Sequence, residues 1–73
     1  MANEGRVMLS RDMKTVRMER GSWSEVFPVE KIADRLAFYV WLTKRQGGRN
    51  AAVFAYAVDG LTRAADRVRA AAQ

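Results

Sequence analysis

The spacing of the hydrophobic residues changes at Pro28, and this change limits the fold more than any other feature of the chain. Before Pro28, Val7 and Leu9 recur at a spacing of two, and so do Val16 and Met18. A period of two is typical of strands that bury one face. After Pro28, apolar residues recur at spacings of three and four, which is the helical period. The pattern predicts a β-rich N-terminal region, residues 1–27, followed by helices.

We predict a β-hairpin with strands at about residues 6–10 and 14–20. Between them, Ser10 and Asp12 favour a turn, because their side chains bond nearby backbone groups. Gly21-Ser22 marks a second break.

Residues 23–27 allow two interpretations. Their alternation fits a short third strand, but an irregular segment that lays Trp23 and Phe27 over the sheet fits equally well. Pro28 ends this region, since its fixed φ and missing N–H suit the start of a helix.

Two helices are predicted after Pro28, at residues 28–46 and 51–72. Residues 47–50 form the turn between them, because Gly47-Gly48 ends a helix easily and Asn50 is a favourable N-cap. Gly60 lies inside the second helix. It marks either a close helix crossing or a position where the helix tolerates the low helix propensity of glycine. The apolar stripe predicted for this helix consists of Phe54, Val58, Leu61, Ala65, Val68 and Ala72.

These elements predict one small α+β domain over residues 1–73. An N-terminal antiparallel hairpin or three-stranded meander would pack against two antiparallel C-terminal helices. At 73 residues, the chain is short enough that it has little stability to spare.

The composition excludes several classes of protein. The chain has no cysteine and no histidine. It therefore lacks disulfides, thiolate metal sites, the commonest metal ligand and the commonest general base. Glu30 and Asp34 lie four apart on one helical face, but acids are common in the first turns of helices for electrostatic reasons. We expect no enzymatic activity, no metal and no cofactor.

The charge is the main indication of a partner. Thirteen Lys and Arg residues against eight Asp and Glu give a net charge of +5. Lys44, Arg45 and Arg49 lie in a short stretch without acids, together with Asn50 and two glycines. This stretch is a candidate anion site, because glycine allows close backbone approach and a helix N-terminus attracts anions. The alternative is that Lys44 and Arg45 only complement the end of the first helix.

Lys14 and Arg17 in the hairpin are further candidates for anion contacts. Arg17 alternates with Val16 and Met18, which places it on the opposite face of the sheet. A basic β-ribbon is one way to enter a DNA groove. An ordinary solvent-exposed face is the alternative.

The first helix has more apolar surface than a monomer of this size needs. Residues 36–42 are apolar on every side of the helix, so either Phe38 or Trp41 has no obvious cover. This favours a partner interface, with a homodimer as the simplest case. The alternative is that both helices form a central core.

Together these features predict a small, non-enzymatic, basic binding protein. It would regulate or inhibit a nucleic-acid-handling system by docking on nucleic acid or on a nucleoprotein complex. One alternative is an inhibitor, of the anti-CRISPR type that phages and mobile elements encode, that binds a host protein surface. Another is a structural homodimer or assembly subunit. The longest apolar runs are too short to span a membrane, which predicts a cytoplasmic protein.

Overall fold

The computed structural model describes residues 5–45 and 51–72. It confirms the predicted α+β fold class, in which a three-stranded antiparallel sheet is followed by two helices. The predicted turn at 47–50, with Arg49 and Asn50, lies outside the described residues. The elements are β1 (Arg6–Leu9), β2 (Thr15–Arg20), β3 (Trp23–Pro28), a 3-10 turn (Val29–Lys31), α1 (Ile32–Lys44) and α2 (Ala51–Ala72).

The sheet is an antiparallel meander in the order β1-β2-β3. Residues 23–28 form a third strand, which decides between the two interpretations of this segment. Leu9, Val16 and Phe27 are aligned across the three strands. Val16 and Phe27 in this row are buried. Because side chains alternate along each strand, the whole row lies on the face that the helices cover.

The turn between β1 and β2 is closed by Ser10 and Asp12, as the sequence predicts. The Ser10 hydroxyl donates to the Asp12 carboxylate at 2.6 Å, and the Lys14 backbone N–H donates to the same carboxylate at 3.0 Å. These bonds lower the pKa of Asp12, with the Ser10 bond as the largest cause. Met13 takes a left-handed conformation, with φ at 61°. The turn is thus closed by its own side chains.

A two-residue turn, Gly21-Ser22, joins β2 to β3, since Arg20 pairs directly with Trp23. Gly21 has a φ of 60°. Positive φ at the first turn residue is typical of the tight hairpin turns that match strand twist, and glycine adopts it without steric cost.

The core lies between the sheet and the two helices. Val16 and Met18 are fully buried from the sheet side, and Ala57 and Leu61 are fully buried from α2. Ile32 and Tyr39 contribute from α1. α1 packs mainly on α2, and α2 packs on β1.

Gly60 marks a close approach, but between helix and strand rather than between two helices. A Cβ at Gly60 would lie 2.6 Å from Cβ of Val7 in β1. Glycine is therefore needed for α2 to lie this close to the sheet edge.

The buried stripe of α2 is shifted from the one predicted. Ala57, Gly60 and Ala64 are buried together with Leu61, whereas Phe54 and Val68 are only partly buried. Gly60 and Ala64 lie beside Val7 of β1, where small side chains let the helix backbone approach the sheet. The sequence pattern favours large hydrophobic residues such as Phe54 and Val68 as the buried ones. The buried face of the helix is instead centred on the smaller residues next to them.

α1 begins later than the predicted start at residue 28. Pro28 pairs with Thr15 as the last residue of β3, and residues 29–31 form one 3-10 turn before the α-helix starts at Ile32. The Val29 N–H donates to the Lys14 carbonyl at 2.9 Å. This bond holds the chain against the hairpin for another residue. α1 ends at Lys44, and Arg45 has extended backbone.

Candidate functional site

Phe38 and Trp41 on α1 are both exposed, whereas the sequence left only one of them without an obvious cover. Their fractional exposures are 47% and 52%, and their ring centroids lie 6.1 Å apart. One helical turn separates them, so they project side by side. We call this pair the α1 aromatic patch.

Two cations end the helix next to this patch. The Arg45 guanidinium carbon lies over the Trp41 ring, 4.6 Å from its centroid, which is cation–π geometry. Lys44 is exposed in the last turn of α1, where a positive charge complements the helix dipole. The exposed aromatic surface therefore carries its own positive charges.

A second aromatic group forms a pocket near the β2–β3 turn. Its volume is about 210 Å³, and four of its five lining residues are aromatic. Trp23 is 44% exposed at its rim. The Tyr56 ring lies so close to Gly5 that a Cβ there would overlap it. We call this the aromatic pocket; its lining residues are Arg20, Trp23, Tyr39, Phe54 and Tyr56.

Ring contacts connect the patch to the pocket. The Phe38 ring meets Tyr39 edge-on at 5.3 Å between centroids. Tyr39 lies 5.8 Å from Phe54 in α2. An aromatic series therefore runs from the exposed end of α1 into the pocket wall.

The surroundings of this series are poor in negative charge. The chain has no Asp or Glu between Asp34 and Asp59, a stretch that includes Phe38, Trp41, Lys44 and Arg45. Glu25 acts electrostatically on Tyr39, but its carboxylate is ion-paired with Arg35. The Arg35 guanidinium also lies over the Phe27 ring at 5.2 Å, which keeps this ion pair against the sheet.

The two pocket tyrosines keep their protons at neutral pH. The pKa values of Tyr39 and Tyr56 are both raised, and burial is the main cause in each case. The positive charge of Arg20 partly opposes the rise in the pKa of Tyr56. Both phenols are therefore neutral groups that can donate as well as accept a hydrogen bond.

The hairpin cations form a separate group. Arg17 is exposed on the outer sheet face, opposite the buried Val16 and Met18, as the alternation predicts. Its Nε donates to the Glu19 carboxylate at 2.6 Å, and Arg6 approaches the same carboxylate at 3.6 Å. The charge of Arg17 is thus partly balanced within its own strand.

The hairpin turn and the end of α1 lie at opposite ends of the first helix. The Lys14 carbonyl bonds Val29, which precedes α1, whereas Lys44 and Arg45 follow its other end. The 13 residues of α1 span about 20 Å at 1.5 Å per residue. Of the predicted site residues, Phe38, Trp41, Lys44 and Arg45 therefore come together, while Lys14 and Arg17 do not join them.

Sequence reasoning missed the aromatic pocket. Tyr39 and Phe54 occupy core positions of the helical pattern, and the spacing of Trp23 fits either a third strand or a cover for the sheet. Strand β3 and both helices must be placed in space before their rings meet. The only available signal was the accumulation of aromatic residues in an acid-free segment, which does not indicate a cavity.

No three acidic residues in ranges 5–45 and 51–72 come close enough to hold a metal ion. No helix in the same ranges combines the length and apolarity needed to cross a membrane. Comparison with known protein families, with curated proteins and with solved structures gave no match.

Proposed function

We propose that this chain is a non-enzymatic binding protein that regulates a nucleic-acid-handling system by binding nucleic acid. The binding surface is the α1 aromatic patch with Lys44 and Arg45. One observation carries the proposal: the Arg45 guanidinium lies 4.6 Å from the centre of the half-exposed Trp41 ring, in a segment without acids.

Nucleic acid offers the chemistry that this surface complements. Its bases stack on aromatic side chains, and its phosphates pair with arginine and lysine. Arginine adds planar donors that bind phosphate oxygens in a bidentate way. The net charge of +5 favours approach to any polyanion.

Titration of labelled single-stranded and duplex oligonucleotides at several salt concentrations tests the proposal. We expect affinity to fall steeply between about 50 and 200 mM salt, because bound phosphates release counterions. The slope of log affinity against log salt should be about −0.7 per phosphate contacted on a single strand and about −0.9 on a duplex. Absence of binding at the lowest salt would contradict the proposal.

Two double variants with equal loss of charge locate the site. Lys44→Gln with Arg45→Gln should weaken binding and reduce the salt slope. Arg63→Gln with Arg67→Gln removes the same charge from exposed positions of α2 and should have a much smaller effect. Equal losses in the two variants would show that net charge alone drives binding, and the site at the end of α1 would be wrong.

The exposed rings also favour a second candidate, docking on a protein surface. Tryptophan and arginine are typical anchors of protein interfaces, and Phe38 extends the apolar area beside them. This candidate includes an inhibitor of a host nucleoprotein complex, of the anti-CRISPR type, and a homodimer. Sedimentation of the wild type and of Trp41→Ala over a range of concentrations tests the homodimer. Self-association that Trp41→Ala abolishes would support it, and a wild type that stays monomeric at high concentration would exclude it.

A further inference from the structure

We infer that the aromatic pocket receives one unpaired base of a nucleic-acid strand, which makes single-stranded nucleic acid the preferred ligand. This inference rests on the proposed function and specifies its substrate class. It concerns Arg20, Trp23, Tyr39, Phe54 and Tyr56, none of which belongs to the α1 aromatic patch.

The size and lining of the pocket fit a single planar ring system. Its volume of about 210 Å³ is below the roughly 300–1,000 Å³ typical of sites for drug-sized ligands. Four of its five lining residues are aromatic, and the half-exposed Trp23 offers a ring on which a base can stack. Tyr39 and Tyr56 also line the pocket, and their neutral phenols are groups that can donate or accept a hydrogen bond.

The charge of the pocket selects among planar ligands. Arg20 places a positive charge in the wall, and none of the lining residues is acidic. Aromatic walls attract cations, but a pocket without acidic lining residues gives a cationic side chain no ion-pair partner. A base enters with its phosphates attached, and these complement the net charge of +5 of the chain. The pocket thus favours a nucleotide unit over a lysine or arginine side chain.

The pocket is also placed where a strand bound to the α1 aromatic patch can reach it. Phe38 of the patch contacts Tyr39 of the pocket wall at 5.3 Å between ring centroids. The patch and the pocket both include residues of α1, so a strand of several nucleotides that stacks on Trp41 can extend to the pocket. A duplex cannot fill the pocket without unpairing a base, which is energetically unfavourable. This difference is the physical basis of the predicted preference for single strands.

Binding of Trp23→Ala to a labelled homopyrimidine strand of about 10 nucleotides, and to the matching duplex, tests the inference. Stacking on one aromatic side chain contributes about 1–3 kcal/mol per base, so we expect affinity for the strand to fall roughly 5- to 150-fold. Affinity for the duplex should change little. Trp23→Phe should keep most of the single-strand affinity, because it keeps a ring for stacking.

A second measurement does not depend on how well Trp23→Ala folds. Trp41→Phe leaves Trp23 as the single tryptophan of the chain. Because Trp41 belongs to the proposed binding surface, the fluorescence of Trp23 is read only at strand and duplex concentrations at which the labelled ligands show this variant to be saturated. This fluorescence should be quenched by the single strand and much less by the duplex. Equal quenching by both, or by neither, would overturn the inference.

Binding by the wild type tests the proposed function, and the affinity ratio of Trp23→Ala tests the pocket. If the wild type binds nucleic acid but Trp23→Ala leaves the ratio of strand to duplex affinity unchanged, the pocket inference is wrong and the proposed function stands. If the wild type binds neither form, both are wrong. An aromatic side chain of a protein partner would then be the remaining occupant for the pocket.

Discussion

The two helices have about the same share of hydrophobic residues, 9 of 13 in α1 and 15 of 22 in α2, but use them differently. α2 turns Ala57, Gly60, Leu61 and Ala64 towards the core and presents charged residues to solvent over its second half. α1 buries Ile32 and Tyr39 but leaves Phe38 exposed. The apolar residues of α2 thus stabilise the fold, whereas those of α1 exceed what the fold buries.

The difference follows from what covers each helix. α2 packs on both α1 and β1, whereas α1 packs mainly on α2. α1 lies mostly off the sheet, so less of its surface is covered. Exposed aromatic residues on the less covered helix are then available for a partner, which is where the proposed binding surface lies.

The largest expected effect is the loss of stability in Leu61→Ala. Leu61 is fully buried, and such truncations cost about 2–5 kcal/mol through lost burial and the cavity left behind. Phe38→Ala on the other helix is the matched control and should cost less than about 1 kcal/mol, although it removes a larger side chain. Urea denaturation measures both. Equal losses would remove the distinction between the helices.

Gly60→Ala should be destabilising by about 1 kcal/mol. Crowding against Val7 costs about 1–3 kcal/mol, whereas alanine gains about 1 kcal/mol in helix propensity over glycine. Ala55→Gly, at an exposed site of the same helix, measures the propensity alone and should cost about 1 kcal/mol. A Gly60→Ala variant that is more stable than the wild type would show that α2 does not need its close approach to β1.

Trp41→Ala should change the stability by less than about 1 kcal/mol. The ring is half-exposed, and its contact with Arg45 is of a type that contributes about 0.5–1 kcal/mol at exposed sites. Thermal denaturation followed by far-UV circular dichroism measures the change. A loss as large as that of Leu61→Ala would place Trp41 in the core and argue against its role in binding.

The smallest expected effect lies in the hairpin turn and depends on pH. The pKa of Asp12 is lower in the folded state than its ordinary value of 3.8. Its ionised form therefore stabilises the fold above about pH 3.8, and this contribution is lost as the pH falls through the lower folded-state pKa. Asp12→Asn should lower the melting temperature slightly at pH 7, and the difference from the wild type should shrink on acidification. A difference that does not change with pH would contradict the role of the charge.

Local patterns predicted most of the secondary structure because the forces that form it act between near neighbours. Ser10 and Asp12 close their turn with bonds to residues at most five positions away. The alternation of Val16 with Arg17 fixed which face of β2 is buried. The start of α1 was placed too early because Pro28 still pairs with Thr15, which is a contact between strands that helical spacing does not show.

The candidate site was predictable only in part. Phe38, Trp41, Lys44 and Arg45 lie within eight residues, so helical geometry alone brings them together. The aromatic pocket joins Trp23 of β3 to Tyr39 of α1 and Tyr56 of α2. Nothing in the spacing of these residues along the chain indicates that their rings meet.

The sequence by itself determined the α+β class and the order of strands, turns and helices, because periodicity and turn chemistry involve residues close together in the chain. It also determined the excess of positive charge, which depends on composition alone. Only the tertiary structure decided that Gly60 lies against Val7, that small residues of α2 face the sheet, and that both Phe38 and Trp41 remain exposed. The physical reason is coverage: a side chain is buried when another element lies over it, and that depends on how close the helices and the sheet can approach.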